Sequence, residues 1–301
     1  MKRGIISSYW VQLFILLRPW QWVKNIAVFI PIVFTGNLFV PVLFTQSLIA
    51  FCSLCLLSSS HYVMNDIVDC KRDTSDPIRK FRPIAAGTIP ISVGLVTWVI
   101  LIISSISIAT HLGTPLIIAI VVYAIVHYLL LFFFRHMTII DIFVLAIGYV
   151  LRLYIGEAAT GVHVSVWLIL SAFSLALLVA VGKRRYEHMQ KKEVIVDRYS
   201  VKLLDSYVTV FATATFLSYV YYTFLSTFAF ESIRVTGFSG GERKWLMVTI
   251  PFVLYGIMRF LQRIYTDTKG YFQKALMTDI PLLFSISAWG CVLIIILYVL
   301  T

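Results

Sequence analysis

The chain has 301 residues, of which 60% are hydrophobic and only 13% are charged, and its formal net charge is +11. A water-soluble domain of this length cannot hide so much apolar surface, so a soluble globular protein is excluded and a membrane protein is expected. The basic residues border apolar runs and stand beside carboxylates, which excludes nucleic acid as the partner and points to a membrane face and phosphorylated molecules.

Apolar runs long enough to span a bilayer predict nine helices, at 20–38, 42–64, 90–110, 114–134, 138–160, 164–183, 206–230, 245–265 and 280–300. The expected fold is all-α: one multi-pass integral-membrane domain over 1–301. The first apolar run is followed by Pro31 and by further spans, so it reads as a membrane helix rather than a cleaved leader.

The first polar group in chain order is Arg18-Pro19-Trp20-Gln21-Trp22-Val23-Lys24-Asn25. Pro19 suits the first turn of a helix, and the tryptophans suit a membrane interface. Lys24 and Asn25 fit that anchoring role poorly and are candidates to face the protein interior.

The most informative segment closes the second span: Asn65-Asp66-Ile67-Val68-Asp69-Cys70-Lys71-Arg72-Asp73. Asp66, Asp69 and Asp73 fall at i, i+3 and i+7, so a continuing helix puts all three on one face. Carboxylates at a membrane boundary are costly without partners. Mg²⁺ takes few carboxylates and completes its octahedron with water or phosphate oxygens. Asp66, Asp69 and Asp73, with Asn65, are therefore the candidate metal ligands, and Arg79, Lys80 and Arg82 directly after them suit a polyanion. The residues alone thus predict a Mg²⁺-diphosphate site on a membrane enzyme.

Other polar positions are less telling. Cys52 and Cys55 sit inside an apolar span and read as small packing residues. Six histidines are scattered without zinc-site spacing, and His61, four residues before Asn65, is the one nearest the acidic motif. Arg152 lies deep in the fifth predicted span, where an arginine must face a partner or a wet cavity, with Asp141 and Glu157 as candidate partners. After the sixth span comes Gly182-Lys183-Arg184-Arg185-Tyr186-Glu187, whose cations suit phosphate oxygens. It follows the acidic motif by four spans, so two four-helix halves with a ninth helix added are expected. Arg259, Arg263, Asp267 and Asp279 flank the last polar loop as weaker candidates.

Nine spans put the termini on opposite sides. The side that receives Lys2, Arg3, Arg18 and the loops 65–89, 135–137, 184–205 and 266–279 collects nearly all basic residues. Arg234, Arg243 and Lys244 fall on the other side. The positive-inside rule makes the first side cytoplasmic.

The span pattern, the Asn-Asp-x-x-Asp-x-x-x-Asp motif at 65–73 and Arg-Pro-x-x-x-Gly at 82–87 resemble the UbiA superfamily of membrane prenyltransferases over nearly the whole chain. The resemblance implies a helical bundle around a central cavity. Typical members carry a second acidic motif, Asp-x-x-x-Asp, after the sixth span, where this chain has the basic 182–187 segment. That departure, with 18–25, Phe-Arg-Pro-Ile-Ala-Ala-Gly at 81–87 and Tyr-Val-Leu-Arg at 149–152, is similar to the decaprenyl-phosphate phosphoribosyltransferases. Those enzymes move 5-phosphoribose from phosphoribosyl pyrophosphate (PRPP) to a polyprenyl phosphate.

The resemblance implies that Asp66, Asp69 and Asp73, helped by Asn65, hold Mg²⁺ on the pyrophosphate. Lys183, Arg184 and Arg82 would contact phosphates, with Lys24 next, and Glu187 would orient ribose hydroxyls. Asn25, Arg79, Arg152, Arg185 and Tyr186 complete the expected substrate-binding set. Expected partners are PRPP, the polyprenyl phosphate, membrane lipid and a second copy of the chain, with no nucleic acid. The alternatives are an aromatic or quinone prenyltransferase using a polyprenyl diphosphate and, in a different class, a transporter of a phosphorylated solute.

Overall fold

The computed structural model describes residues 9–76, 79–134, 137, 139–189, 200–229, 242–266 and 272–299, and those residues contain helices and turns but no strand. Among them, nine helical stretches are long and apolar enough to cross a membrane, the number expected from sequence. Their bounds differ from the expectation at the polar ends. The first runs Tyr9–Phe34 rather than 20–38, the second extends to Val68 and the sixth to Met189. Hydropathy ends a span at its first polar residues, but a helix continues wherever its polar side chains find partners inside the protein.

The first stretch is a composite: α1 (Tyr9–Leu17), a 3₁₀ helix over Pro19–Phe29, then α2 (Ile30–Phe34). Eleven residues is long for a 3₁₀ helix. Arg18 precedes it in the left-handed region, at φ 52° and ψ 55°. The remaining α-helices are α3 (Pro41–Val68), α4 (Cys70–Ser75), α5 (Ile91–Thr110), α6 (Thr114–Leu129), α7 (Ile140–Thr160), α8 (Val166–Met189), α9 (Val201–Ala229), α10 (Ile250–Thr266), α11 (Phe272–Met277) and α12 (Ile280–Tyr298).

The described residues group into two compact units. Unit 1 draws on 1–32, 38–133 and 151–162. Its centre is α3, packed along α5. Lipid gives little hydrophobic drive between helices, so close approach and interhelical hydrogen bonds hold them. Ser53 and Ser105 show this directly: each hydroxyl donates to the other's carbonyl, at 2.9 and 2.8 Å. Val28, Leu54, Leu57, Leu116 and Ile120 close the apolar core around them.

Unit 2 draws on 33–37, 134–150 and 163–301. Here α8 lies along α9, and α10 and α12 cover them. Gly182 lets α10 approach: a Cβ there would sit 2.7 Å from Ile264 Cδ1 and 2.9 Å from Phe260 Cζ. Trp289 Nε1 donates to the Tyr219 hydroxyl at 2.8 Å, and that hydroxyl lies 2.6 Å from Thr249 Oγ1.

Candidate functional site

In unit 1 the acidic motif lies where α3 ends and α4 begins. The helix is nearly continuous: the Asp69 N–H donates to Asn65 O, and the Asp73 N–H to Asp69 O. Asp66, Asp69 and Asp73 are all buried. Arg82 is carried by a compact turn just beyond. Ala86 N–H donates to Arg82 O at 2.7 Å, the Thr88 and Ile89 N–H groups donate to Pro83 O, and Gly87 takes φ +72° to close the turn. Ile84 and Ile89 anchor it in an apolar cluster with Leu16 and Val63.

That turn aims the Arg82 guanidinium at two carboxylates at once. Arg82 Nη1 lies 2.6 Å from Asp73 Oδ2 and 3.1 Å from Asp66 Oδ1. Arg18 Nη2 reaches the same Asp66 oxygen at 2.6 Å, and its guanidinium stands 5.3 Å from the Tyr62 ring centre. The sequence reading did not place Arg18 at the site. Asp73 Oδ1 is buried with no hydrogen-bond partner. Among the described residues, no three His, Cys, Asp or Glu side chains are gathered as a ready metal cage. A Mg²⁺ ion held by one or two carboxylates and substrate oxygens needs no such cage. The all-oxygen donor set and the unpartnered Asp73 oxygen fit that ion.

A second polar cluster of unit 1 lies within the apolar core. Asn25 is buried against α3, its amide donating to Ser58 Oγ at 3.2 Å. Arg152 Nε donates to Asn25 Oδ1 at 3.0 Å, and Nη2 to the Tyr123 hydroxyl at 2.8 Å. The Arg152 guanidinium also stands 5.2 Å from the Tyr123 ring centre. Arg152 thus meets an amide oxygen and a phenol, and Asp141, one of its candidate partners from sequence, pairs with Arg184. His61 stacks edge-on to His127 at 5.3 Å rather than joining the acidic motif. Lys24 is half-buried on the 3₁₀ helix, and Arg79 pairs loosely with Asp76 at 3.9 Å.

In unit 2 the end of α8 is not the unbalanced basic patch expected from sequence. Arg184 Nη2 lies 2.5 Å from Asp141 Oδ2, and Arg184 Nη1 lies 3.2 Å from Glu187 Oε2. Lys183 pairs with Glu187 at 3.6 Å. Arg185 Nε pairs with Asp205 at 2.6 Å, Nη1 donates to Ile264 O, and the guanidinium lies 3.7 Å from the Tyr265 ring centre. Three carboxylates thus face three cations. Arg185 ties α8 to α9 through Asp205 and to α10 through Ile264 O, and Tyr186 is buried edge-on to Phe272.

Arg259 and Arg263 converge on Asp279, which is fully buried and caps α12 through the Leu282 N–H at 2.8 Å. Asp267, Lys191 and Arg234 lie outside the described residues. Burial alone would raise the Asp279 carboxyl. Hydrogen bonds from Arg259, the Leu282 N–H and Arg263 outweigh burial and hold the carboxyl at about 2. A depressed carboxyl stabilises the fold above its ordinary value of 3.8, and that contribution is lost as pH falls through about 2. The melting temperature of detergent-purified Asp279→Asn is expected to lie below that of the wild type near neutrality, with the gap closing between pH 4 and 2. A gap that is constant across that range would remove Asp279 from the acid response.

The UbiA prenyltransferase family model matches residues 26–287. The chain belongs to the UbiA prenyltransferase family. The decaprenyl-phosphate phosphoribosyltransferase of Corynebacterium glutamicum is 30% identical, over 94% of this chain and 86% of that protein. The Mycobacterium tuberculosis enzyme of the same name is 33% identical, over 81% of this chain and 80% of that protein. Among solved structures, a UbiA homologue from Archaeoglobus fulgidus bound to GPP and Mg²⁺ superposes with a TM-score of 0.70 at 14% identity, covering 96% of this chain and 99% of its own. A structure describing digeranylgeranylglyceryl phosphate synthase gives 0.66 at 16% identity, with 96% and 98% covered. These likenesses show the fold: an all-α, multi-pass membrane protein of the UbiA type.

Proposed function

We propose that this family member is a Mg²⁺-dependent membrane transferase that moves 5-phosphoribose from PRPP to a polyprenyl phosphate. The observation that carries the donor choice is the end of α8, where Lys183 and Arg184 stand and a prenyltransferase of the usual kind has carboxylates. PRPP carries a 5-phosphate beyond its pyrophosphate, and the acceptor carries another phosphate, so this reaction needs more cations than a prenyl transfer does. The names of the curated relatives from Corynebacterium and Mycobacterium support the same reading.

In unit 1, Asp66 and Asp73 would hold the metal, with Asp69 and Asn65 beside them. The bound ion would neutralise charge developing on the leaving pyrophosphate. Arg82 and Arg18 offer planar, bidentate donors to the diphosphate oxygens. The C1–O bond of the ribose breaks with its electron pair leaving on pyrophosphate, and an acceptor phosphate oxygen forms the new bond to C1. A phosphate monoester has a second pKa near ~6 and is largely dianionic at pH 7, so no general base is required.

In unit 2, Lys183 is the cation least tied to its partner. Its 3.6 Å pair with Glu187 is partly exposed, and such a pair contributes about 0–1 kcal/mol. It is therefore available to a phosphate, with Arg184 and Glu187 beside it. Purified protein given Mg²⁺, labelled PRPP and a polyprenyl phosphate is expected to move label into the lipid fraction. Lys183→Ala is expected to weaken donor or acceptor use about tenfold, the low end for a charge-assisted contact. Transfer of a prenyl group from a prenyl diphosphate to an aromatic acid, with PRPP ignored, would replace this reading.

That second reading has specific support. The family model is that of prenyltransferases, and solved structures with this fold hold GPP or DMAPP with Mg²⁺. The acidic motif serves a diphosphate in both readings, so the donor assay decides between them. We also place the acidic motif and the end of α8 on the cytoplasmic side, from the asymmetry of basic residues. Labelling of a cysteine placed at Lys71 from the outer face by an impermeant reagent would reverse that orientation.

A further inference from the structure

The acidic motif of unit 1 already has its cations. Two buried carboxylates, Asp66 and Asp73, share one Arg82 nitrogen, and Arg18 takes the remaining charge of Asp66. A free divalent ion approaching the oxygens of Asp66 and Asp73 meets two guanidiniums already paired with them. Asp73 Oδ1 is buried without a hydrogen-bond partner. The carboxylates cannot retreat, since both are short side chains fixed on α3 and α4.

The arginines differ in their freedom. Arg18 is held from two sides, by Asp66 and by the Tyr62 ring, and its backbone is in the left-handed region directly before Pro19. That conformation costs an ordinary residue energy and persists only where the surroundings enforce it. Arg82 carries the same flexible stem without that backbone constraint, and 23% of its side chain is exposed against 18% for Arg18. Of the groups in the cluster, Arg82 is the one that can leave.

We infer that Arg82 is a tethered cation that keeps free Mg²⁺ from Asp66 and Asp73, and yields them only when a diphosphate draws its guanidinium away. This rests on the metal-diphosphate reading above, whichever group the diphosphate carries. A diphosphate offers oxygens that accept a bidentate guanidinium and can also ligate the metal. One exchange then satisfies every group: Arg82 moves to phosphate, and the vacated carboxylate oxygens take the ion. Metal and diphosphate bind as a unit, and each raises the affinity for the other by the same factor. The arrangement also keeps a bare divalent ion from occupying the motif before donor arrives.

Equilibrium dialysis of the full-length, detergent-purified chain with Mn²⁺ as the probe tests this without turnover. At matched free Mn²⁺, saturating inorganic pyrophosphate is expected to tighten protein-bound Mn²⁺ by roughly 5- to 150-fold, the usual range for coupled sites. Arg82→Gln, which keeps a hydrogen-bonding side chain but no charge, is expected to bind Mn²⁺ without pyrophosphate more tightly than wild type does. Equal Mn²⁺ affinity with and without pyrophosphate in wild type would overturn the gate and leave the metal site standing. Coupling that persists unchanged in Arg82→Gln would overturn the role of Arg82. Absence of protein-bound Mn²⁺ under every condition would remove the metal-diphosphate reading itself, and the gate with it. If Arg82→Gln does not fold, Arg82→Lys decides: it keeps the charge but loses the bidentate fork, so coupling equal to that of wild type would overturn the role of Arg82.

Discussion

Asp66→Asn is expected to lower transfer by about 10²- to 10³-fold while leaving a monodisperse, membrane-inserted protein. The asparagine keeps the shape and one acceptor oxygen, so Arg18 and Arg82 retain a hydrogen-bond partner at 2.6 and 3.1 Å. What it loses is the negative charge. A metal on a leaving pyrophosphate supplies several kcal/mol of charge stabilisation, and each ~1.4 kcal/mol is tenfold in rate. Asp73→Asn should follow the same direction, because its buried Oδ1 has no hydrogen-bond partner and gains one in an incoming ion. Turnover is read as label from the donor appearing in the lipid fraction. Near-normal rates in both purified variants would mean that these carboxylates serve only to hold the arginines.

The nine spans and the acidic motif were legible because they rest on rules that act locally. A bilayer demands some twenty apolar residues per helix, and three carboxylates at helical spacing in an apolar chain need a reason. The partners were less legible. Arg18 meets Asp66 across 48 positions, and only because its backbone turns left-handed before Pro19. The end of α8 looked strongly basic, yet Asp141 and Asp205 arrive from α7 and α9 to balance it, which no short motif records. Tyr186 belongs to the same motif in sequence but points inward. Lys183 and Glu187, at i and i+4, share the outer face, and the helix period turns the intervening Tyr186 to the core. The cost of burying Arg152 was correctly anticipated. The amide and the phenol that meet it, Asn25 and Tyr123, come to it through tertiary placement alone.

That placement turns on a glycine. Arg152 and Gly156 are one turn apart on α7 and therefore share a face, as Asn25 and Val28 do on the 3₁₀ helix. Gly156 lies directly against the Val28 carbonyl: an added Cβ would fall inside its van der Waals shell, 2.9 Å from the carbonyl carbon and 3.2 Å from Pro31 Cδ. The obstacle is backbone, so no rotamer change relieves it. Gly156→Ala must push the 3₁₀ helix away from α7, and the 3.0 Å bond from Arg152 to Asn25 stretches with it. Overpacking a membrane interface at a small residue then adds to a weakened partner for a buried charge. We expect a cost of about 3 kcal/mol, the upper end for a single added methyl against rigid surroundings, and roughly 5–10 °C in melting temperature in detergent. Ala159, on the same helix and already carrying a methyl, provides the comparison: Ala159→Gly should cost far less. A Gly156→Ala protein that melts with the wild type would show that the two helices can separate freely, and that the buried Arg152–Asn25 pair does not depend on their close approach.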